Sequence, residues 1–299
     1  MPAALGNHAR GNDTGPMSLS VVILTFNAEA TIGATLASAA EVSDDIHVVD
    51  SGSTDGTLAI LARHGAQVAS HPFEDYGKQR NWAIDNLPLK YDWQLHLDAD
   101  ERLSPTLTAK IKALRSAFPA GVDGYFIPRL MYFLGHPIRH GGMYPIWHMR
   151  LFRSGTARCE DRRYDQHFRC DGRTAQIHAP MIDDIRMSLS EWTTRHNRWA
   201  DAEVNEILAP SGSGVIAGRL SGNPIERKRA LRGGYTRAPR FLRAFGLFFY
   251  RYVLRLGFLD GMPGLIFFVL QTFWFRFLID AKLYERSLLT RVPSPPEGG

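Results

Sequence analysis

Leu19-Ser-Val-Val-Ile-Leu-Thr-Phe26 is a short, unbroken apolar run rich in β-branched residues. Such a run suits a strand buried on both faces, as in parallel sheets. The segments that follow alternate. Asn27 is placed to cap a helix over residues 28–40, with Ile32, Leu36 and Ala39 on one face. Ile46-His-Val-Val-Asp50 reads as a second strand, and Thr54 and Asp55 as caps of a helix carrying Leu58, Ile60 and Leu61. Residues 66–70 suit a third strand, 76–87 a helix, and Trp93-Gln-Leu-His-Leu97 a fourth strand. Ser104-Pro105 then supplies an N-cap and first-turn proline for a helix to about residue 118. This order predicts an α/β fold with a doubly wound, mostly parallel sheet. Ligands in such sheets bind beyond the carboxyl ends of the strands, which sets Thr25, Asp50 and Asp98 along one crevice.

Further along, Tyr125–Pro128 and Met149–Phe152 read as strands, and Ser188–Leu208 as an amphipathic helix carrying Trp192, His196, Trp199 and Val204. Ala209-Pro-Ser-Gly-Ser-Gly-Val215 has linker composition. The expected layout is a tail over 1–17, a catalytic domain over 18–209, a linker over 210–224, a helical region over 225–290 and a tail over 291–299. With 44% hydrophobic and 22% charged residues the chain can build a sizeable core. Two cysteines, Cys159 and Cys170, make no disulfide framework, and residues 1–17 show no apolar signal run, so a reducing, cytosolic setting is expected.

The region from Ile225 to Gly257 is strongly basic, with Glu226 as its only acid, and Phe241, Phe245, Phe248, Phe249, Tyr250 and Tyr252 lie among the arginines. The apolar run from Gly264 to Phe275 follows and ends at Arg276. It is shorter than the roughly 20 residues of a spanning helix, so the composition favours helices lying in the headgroup region of a membrane. No nucleic-acid-binding motif accompanies the basic stretch, and no nucleic-acid partner is expected. A helical hairpin packed on the catalytic domain is the other reading.

Leu97-Asp-Ala-Asp-Glu101 carries the chemistry most directly. Two carboxylates one residue apart at a strand end can face one divalent cation, and Mg²⁺ or Mn²⁺ readily bridges carboxylate and phosphate oxygens. Alone the pattern is common in surface turns. Val48-Val-Asp-Ser-Gly-Ser-Thr-Asp-Gly-Thr57 gives it context, because Asp50 at a strand end can accept the N–H of a uracil, while Asp55 is expected to cap the next helix.

Taken in order, Ser20-Val-Val-Ile-Leu-Thr-Phe-Asn27, Val48 to Thr57, Gly77-Lys-Gln-Arg-Asn81 and Leu97-Asp-Ala-Asp-Glu-Arg102 resemble the signature of family 2 glycosyltransferases, over residues 18 to about 200. The resemblance is strongest to bacterial lipopolysaccharide-core and exopolysaccharide transferases, and extends to Gly257–Gly264 and Asp280–Tyr284. It implies the GT-A (nucleotide-diphospho-sugar transferase) fold, an inverting transfer from a UDP-sugar, with UDP-glucose as default, and a glycolipid or lipopolysaccharide-type acceptor. The setting it implies is the cytoplasmic face of the bacterial inner membrane. By the same resemblance Thr25 and Asp50 hold the uridine, Glu29 lies near the ribose or base, and Arg80 meets the base or diphosphate, with Lys78 a lesser candidate. Asp98 approaches ribose and metal, and Asp100 is the main ligand of Mg²⁺ or Mn²⁺.

Inversion needs a general base for the acceptor hydroxyl. The segment Cys159-Glu-Asp-Arg-Arg-Tyr-Asp-Gln-His-Phe168 offers Asp165 first and Asp161 second, with Glu160 behind them. Related enzymes carry His-Glu-His near here, and this chain has Asp165-Gln166-His167. His140, Tyr144, Trp147, His148 and Arg150 surround a Gly-Gly loop where an acceptor can dock, or else serve the core. His178, Asp183 and Asp184 lack the spacing of a metal site. Two other functions compete. A sugar nucleotidyltransferase needs a Gly-rich phosphate loop after the first strand, which Thr25-Phe-Asn-Ala-Glu29 is not; a non-enzymatic carbohydrate-binding or scaffold protein would have lost the acidic residues.

Overall fold

The computed structural model describes residues 19–116, 118–160, 166–208 and 216–289. The chain begins with β1 (Leu19–Thr25), α1 (Ile32–Ala40), β2 (Asp45–Asp50), α2 (Thr57–Arg63), β3 (Gln67–Ser70), α3 (Tyr76–Asn86) and β4 (Trp93–Asp98). It continues through β5 (Glu101–Leu103), α4 (Pro105–Arg115), β6 (Gly124–Phe133), β7 (His136–Pro137), β8 (Ile146–Arg153), β9 (Ala157–Cys159), β10 (Phe168–Cys170), β11 (Thr174–Gln176) and β12 (Met181–Ile185). Helices α5 (Leu189–Leu208), α6 (Pro224–Arg237), α7 (Leu242–Phe249), α8 (Gly261–Phe268) and α9 (Phe275–Leu289) complete the described chain.

The main sheet runs β3-β2-β1-β4-β8-β6-β12-β5. β8 is antiparallel to both its neighbours and β5 to β12; the other six strands of this path share one direction. The expected mostly parallel α/β sheet is therefore present, with mixed pairing in its second half. β1 is buried along its whole length, as its unbroken apolar run demands. One face packs Val21, Ile23, Leu95 and Leu97 against Ile32 and Leu36 of α1 and Leu107 and Ile111 of α4; Val22 and Leu24 on the other face meet Ala83 of α3.

One helix start differs from the sequence expectation. α1 begins at Ile32, and Asn27 takes φ 46° and turns its side chain across to the next loop, where Oδ1 accepts from the Thr54 N–H at 2.8 Å. The amide satisfies a distant backbone donor better than a helix end that lies beyond its reach. α2 begins at Thr57, with Asp55 Oδ1 accepting from the Thr57 N–H at 3.0 Å, so Asp55 does support the first turn.

The C-terminal segment packs on the catalytic sheet. Phe267 and Phe268 join Phe133, Ile138 and Trp192, while Phe275, Ile279 and Leu283 pack on Ala200 and Val204 of α5. Ile225 of α6 closes over Phe126 and Phe152. Helical structure continues from Gly257 to Leu289, so Arg276 does not end it, and this helix is long and apolar enough to cross a membrane by length and composition. The sequence argument from a short run is corrected on that point. Arg276 is accommodated because Glu203 of α5 accepts from it at 3.0 Å, and Asp280 accepts from Arg243 Nε at 3.0 Å and from the Phe241 N–H at 2.8 Å.

Candidate functional site

The carboxyl ends of β1, β2 and β4 carry Thr25, Asp50 and Asp98 side by side, Thr25 in register with Asp50 and Leu24 with Asp98. Thr25 Oγ1 is buried with no protein partner among the described residues, an orphan that a ligand group can satisfy. Asp50 is also buried, and its carboxylate builds the turn after β2. It accepts from the Gly52 and Ser53 N–H groups at 2.9 Å each and from Ser53 Oγ at 2.5 Å, while Gly52 takes φ 90° to make that turn. Glu29 accepts from the Gly56 N–H at 2.7 Å and its own N–H donates to Asp55 at 3.1 Å, so the loops after β1 and β2 are cross-tied at the crevice rim.

Arg80 and Asp98 come together: Arg80 Nη2 donates to Asp98 Oδ1 at 2.9 Å. A second arginine completes the clamp. Arg150 Nη2 donates to Asp98 Oδ2 at 2.7 Å and to Glu101 Oε1 at 2.6 Å, and Glu101 Oε2 accepts from the Asp98 N–H at 2.9 Å. Arg150 is thus a buried part of the acidic turn, which corrects its expected place at an acceptor loop. The reason is a bulge. Tyr125 pairs Leu151 and Phe126 pairs Met149, which leaves Arg150 as the extra residue on β8, and such a bulge re-aims a side chain. Three others of that expected cluster have separate partners: His140 Nδ1 is 2.6 Å from Asp260 Oδ1, Trp147 packs edge-on against His178, and His148 lies beside His167.

Electrostatics separate the two aspartates of the turn. Burial alone would raise the Asp98 carboxyl, but Arg150 and Arg80 outweigh it and hold it well below the usual carboxylate range. Asp100 has no side-chain partner among the described residues, and burial, then Asp183 and Asp98, push it up to about 7. Asp183 on β12 is itself raised to about 6, by burial opposed by Arg129 and reinforced by Glu101 and Asp98. The sequence reading missed Glu101 and undervalued Asp183. Only the pairing of Asp183 with Glu101 brings β12 beside the turn, and nothing local to Pro180-Met-Ile-Asp-Asp announces it.

The donor set suits Mg²⁺ or Mn²⁺. Among the described residues no three His, Cys, Asp or Glu side chains form a metal cage, and Asp100 offers hard oxygens that are not tied to an arginine. Mg²⁺ is commonly held this way, by one or two carboxylates with substrate phosphates completing the shell. Lys78, by contrast, pairs with Glu74 at the surface of α3. The expected bases Asp161 and Asp165 lie outside the described residues. Glu160, third in that series, is buried in a structural pairing: it accepts from Arg229 at 2.6 Å, from the Ile216 N–H at 2.8 Å and from the His167 N–H at 3.0 Å.

Comparison with known sequences decides the family, because the model of glycosyl transferase family 2 matches residues 20–172, which hold Thr25, Asp50, Arg80, Asp98 and Asp100. The chain belongs to glycosyl transferase family 2. Its α/β sheet is the GT-A fold of that family, and the protein is a transferase enzyme. The transferase is similar to the lipopolysaccharide core biosynthesis glycosyltransferase LpsC of Rhizobium meliloti (strain 1021), with 24% identity over 93% of this chain and 96% of that protein. Among solved structures it resembles mannosyl-3-phosphoglycerate synthase from Rubrobacter xylanophilus, with TM-score 0.44, 17% identity, and coverage of 67% and 78% of the two chains. Another is glucosyl-3-phosphoglycerate synthase from Mycobacterium tuberculosis in complex with Mn²⁺, UDP and glucosyl-3-phosphoglycerate, with TM-score 0.40, 15% identity, and coverage of 68% and 84%.

Proposed function

We propose that this transferase moves a single sugar, with inversion, from a UDP-sugar to a membrane-associated glycolipid or lipopolysaccharide-core acceptor, with Mg²⁺ or Mn²⁺ as cofactor. UDP-glucose is the default donor. The observation that carries the reading is the contrast within the acidic turn: Asp98 is clamped by Arg80 and Arg150, whereas Asp100 makes no ion pair among the described residues and feels only the weaker, more distant charge of Arg195. That contrast supports Asp100 as the ligand of the cation and Asp98 as the residue that fixes the turn. A cation bound there supplies Lewis-acid neutralisation of the departing diphosphate.

Thr25 Oγ1 and the Asp50 turn receive the uridine, and Arg80 holds Asp98 in place beneath the ribose. The sequence assigns the acceptor's proton to Asp165, with Asp161 as second choice. Asp183 is a further candidate inside the described residues, since a carboxyl raised to about 6 sits near the working range of a general base. Replacing Asp165 and Asp183 separately by Asn decides between them: the base variant loses turnover while UDP binding persists.

Membrane association is proposed from the outer surface of the C-terminal segment. Phe245, Phe249, Tyr250, Leu254, Leu256, Phe258, Leu259 and Met262 are exposed there, and Arg240 and Arg255 are exposed beside them. The inward charges of α9 are paired with α5 and α7, so the face left outside is apolar with a basic fringe, which fits an anionic cytoplasmic leaflet.

Calorimetry of UDP binding tests the site, with and without Mn²⁺, on the wild type, Asp50→Ala and Asp100→Ala. Mn²⁺-dependent binding lost in both variants is expected. Unchanged affinity in Asp100→Ala would remove the metal assignment, and no nucleotide binding by the wild type would overturn the donor.

A further inference from the structure

A second polar site lies beside the catalytic turn. An open depression of about 470 Å³ is lined by Arg102, Tyr132, Leu134, Asp184 and Arg186, among others. Its position follows from strand register. Glu101, Asp183 and Met131 are register partners across β5, β12 and β6, so they share one face of these strands, with Asp100 close by. Side chains alternate along a strand. Arg102, Asp184 and Tyr132 therefore stand on the opposite face. The two faces meet at the end of β12, where the Asp184 N–H donates to the Asp100 carbonyl at 3.0 Å.

The depression has a defined charge. Asp184 Oδ2 holds Arg186 Nε at 3.0 Å and Arg102 Nη2 at 3.6 Å, so one carboxylate fixes two guanidinium groups and leaves a net positive charge. Each guanidinium carries five N–H donors, and these contacts use one nitrogen of each. The guanidinium of Arg102 also lies 6.0 Å from the centre of the Tyr132 ring. Tyr132 and the exposed Leu134 add an apolar wall beside the cations. Fixed arginine forks match phosphate or carboxylate oxygens, and an aromatic wall suits the face of a sugar ring.

We propose that this depression is an acceptor subsite for an anionic saccharide, one that bears a phosphate or carboxylate away from the hydroxyl that is attacked. The inference rests on the transfer reading above and deepens it by naming the acceptor's chemistry. The backbone bond from Asp184 to Asp100 sets the depression next to the cation turn, so the proposed subsite selects acceptors by charge and takes no part in donor binding.

The test uses the full chain with glucose 6-phosphate, glucose and inorganic phosphate as probes, and measures UDP with Mn²⁺ on the same samples. Glucose 6-phosphate is expected to bind, and glucose to show no binding. Arg186→Gln, a change at a half-exposed side chain, is expected to weaken glucose 6-phosphate by about tenfold or more, as loss of a charge-assisted arginine fork implies. Arg102→Gln is expected to do the same, and UDP affinity to stay unchanged in Arg186→Gln. Equal affinity for inorganic phosphate and glucose 6-phosphate would reduce the site to a free-anion site and overturn the saccharide part. Undiminished sugar-phosphate binding in Arg186→Gln, or none in the wild type, would overturn the subsite even where UDP still binds. Failure of UDP alone would instead strike the donor reading.

Discussion

Asp100 is the residue on which the chemistry turns, and its electrostatics make a signed prediction. Its ordinary value of 3.8 is raised to about 7 in the fold, so between those limits the folded state binds a proton that the unfolded chain releases. Stability therefore falls as pH rises through that window, because ionised Asp100 is buried beside Asp183 and Asp98 and the charge of Arg195 only partly offsets this. Thermal melts in EDTA should show the midpoint declining from about pH 4 to about pH 7, with Asp100→Asn flattening the decline and Mn²⁺ restoring the wild type at the upper end. A midpoint that is level or rises over that range in the wild type would contradict the assignment. The aspartate pair was legible in the sequence through the motifs around it, since alone such a pair is common in surface turns. What separates the two was not: Arg80 and Arg150 reach Asp98 from α3 and from a bulge in β8.

Among the elements, α3 shows how a sequence motif works through its neighbours. Gly77-Lys-Gln-Arg-Asn81 puts four residues to structural use. Gln79 Nε2 donates to Ser51 Oγ and to the His71 carbonyl, both at 3.1 Å; Arg80 clamps Asp98; and the Asn81 amide exchanges hydrogen bonds with the Cys159 backbone at 2.9 and 3.0 Å. Gly77 is required by space. A Cβ there would lie 2.5 Å from the Glu160 carbonyl oxygen, and a backbone atom cannot swing aside as a side-chain tip can. Gly77→Ala is expected to destabilise by about 1–3 kcal/mol, the usual range for overpacking, and to lower UDP affinity by shifting Arg80. Urea unfolding and calorimetry on this variant check both effects, and a variant with wild-type stability would show that α3 can move freely from Glu160. Helix α3 and the four parallel strands were readable because periodicity and caps are local signals. The start of α1 was misread because Asn27 bonds across loops, a tertiary choice that propensity does not encode, whereas Asp55 supports the first turn of α2 as expected.

For the molecule as a whole, the C-terminal helices are tied to the catalytic sheet on one side and apolar on the other. Asp260 accepts from the His140 N–H at 3.0 Å, and Gly141 packs so closely on Phe268 that a Cβ would lie 2.1 Å from the ring, so the loop before β8 rides on the outer segment. Vesicle flotation is expected to recover the protein with vesicles rich in anionic lipid, with binding weakened by salt because the basic fringe is exposed. Phe249→Glu combined with Leu254→Glu should abolish flotation while leaving UDP binding in place, since both side chains are more than half exposed. Flotation unaffected by the double change would transfer membrane contact to another surface.

The sequence by itself determined the α/β alternation, the crevice at the carboxyl ends of β1, β2 and β4, the family signature and the amphipathic character of the C-terminal region. These are set by residue period, caps and motif order, all of which act over a few neighbouring positions. Only the tertiary structure decided that Asp98 is clamped by two arginines and Asp100 is not, that Asp183 and Glu101 flank the turn, and that Arg276 and Asp280 turn inward so that an apolar face remains outside. Each of these depends on which charges different elements bring together. A charge in the sequence carries no mark of its partner, and burial gives the partner its weight.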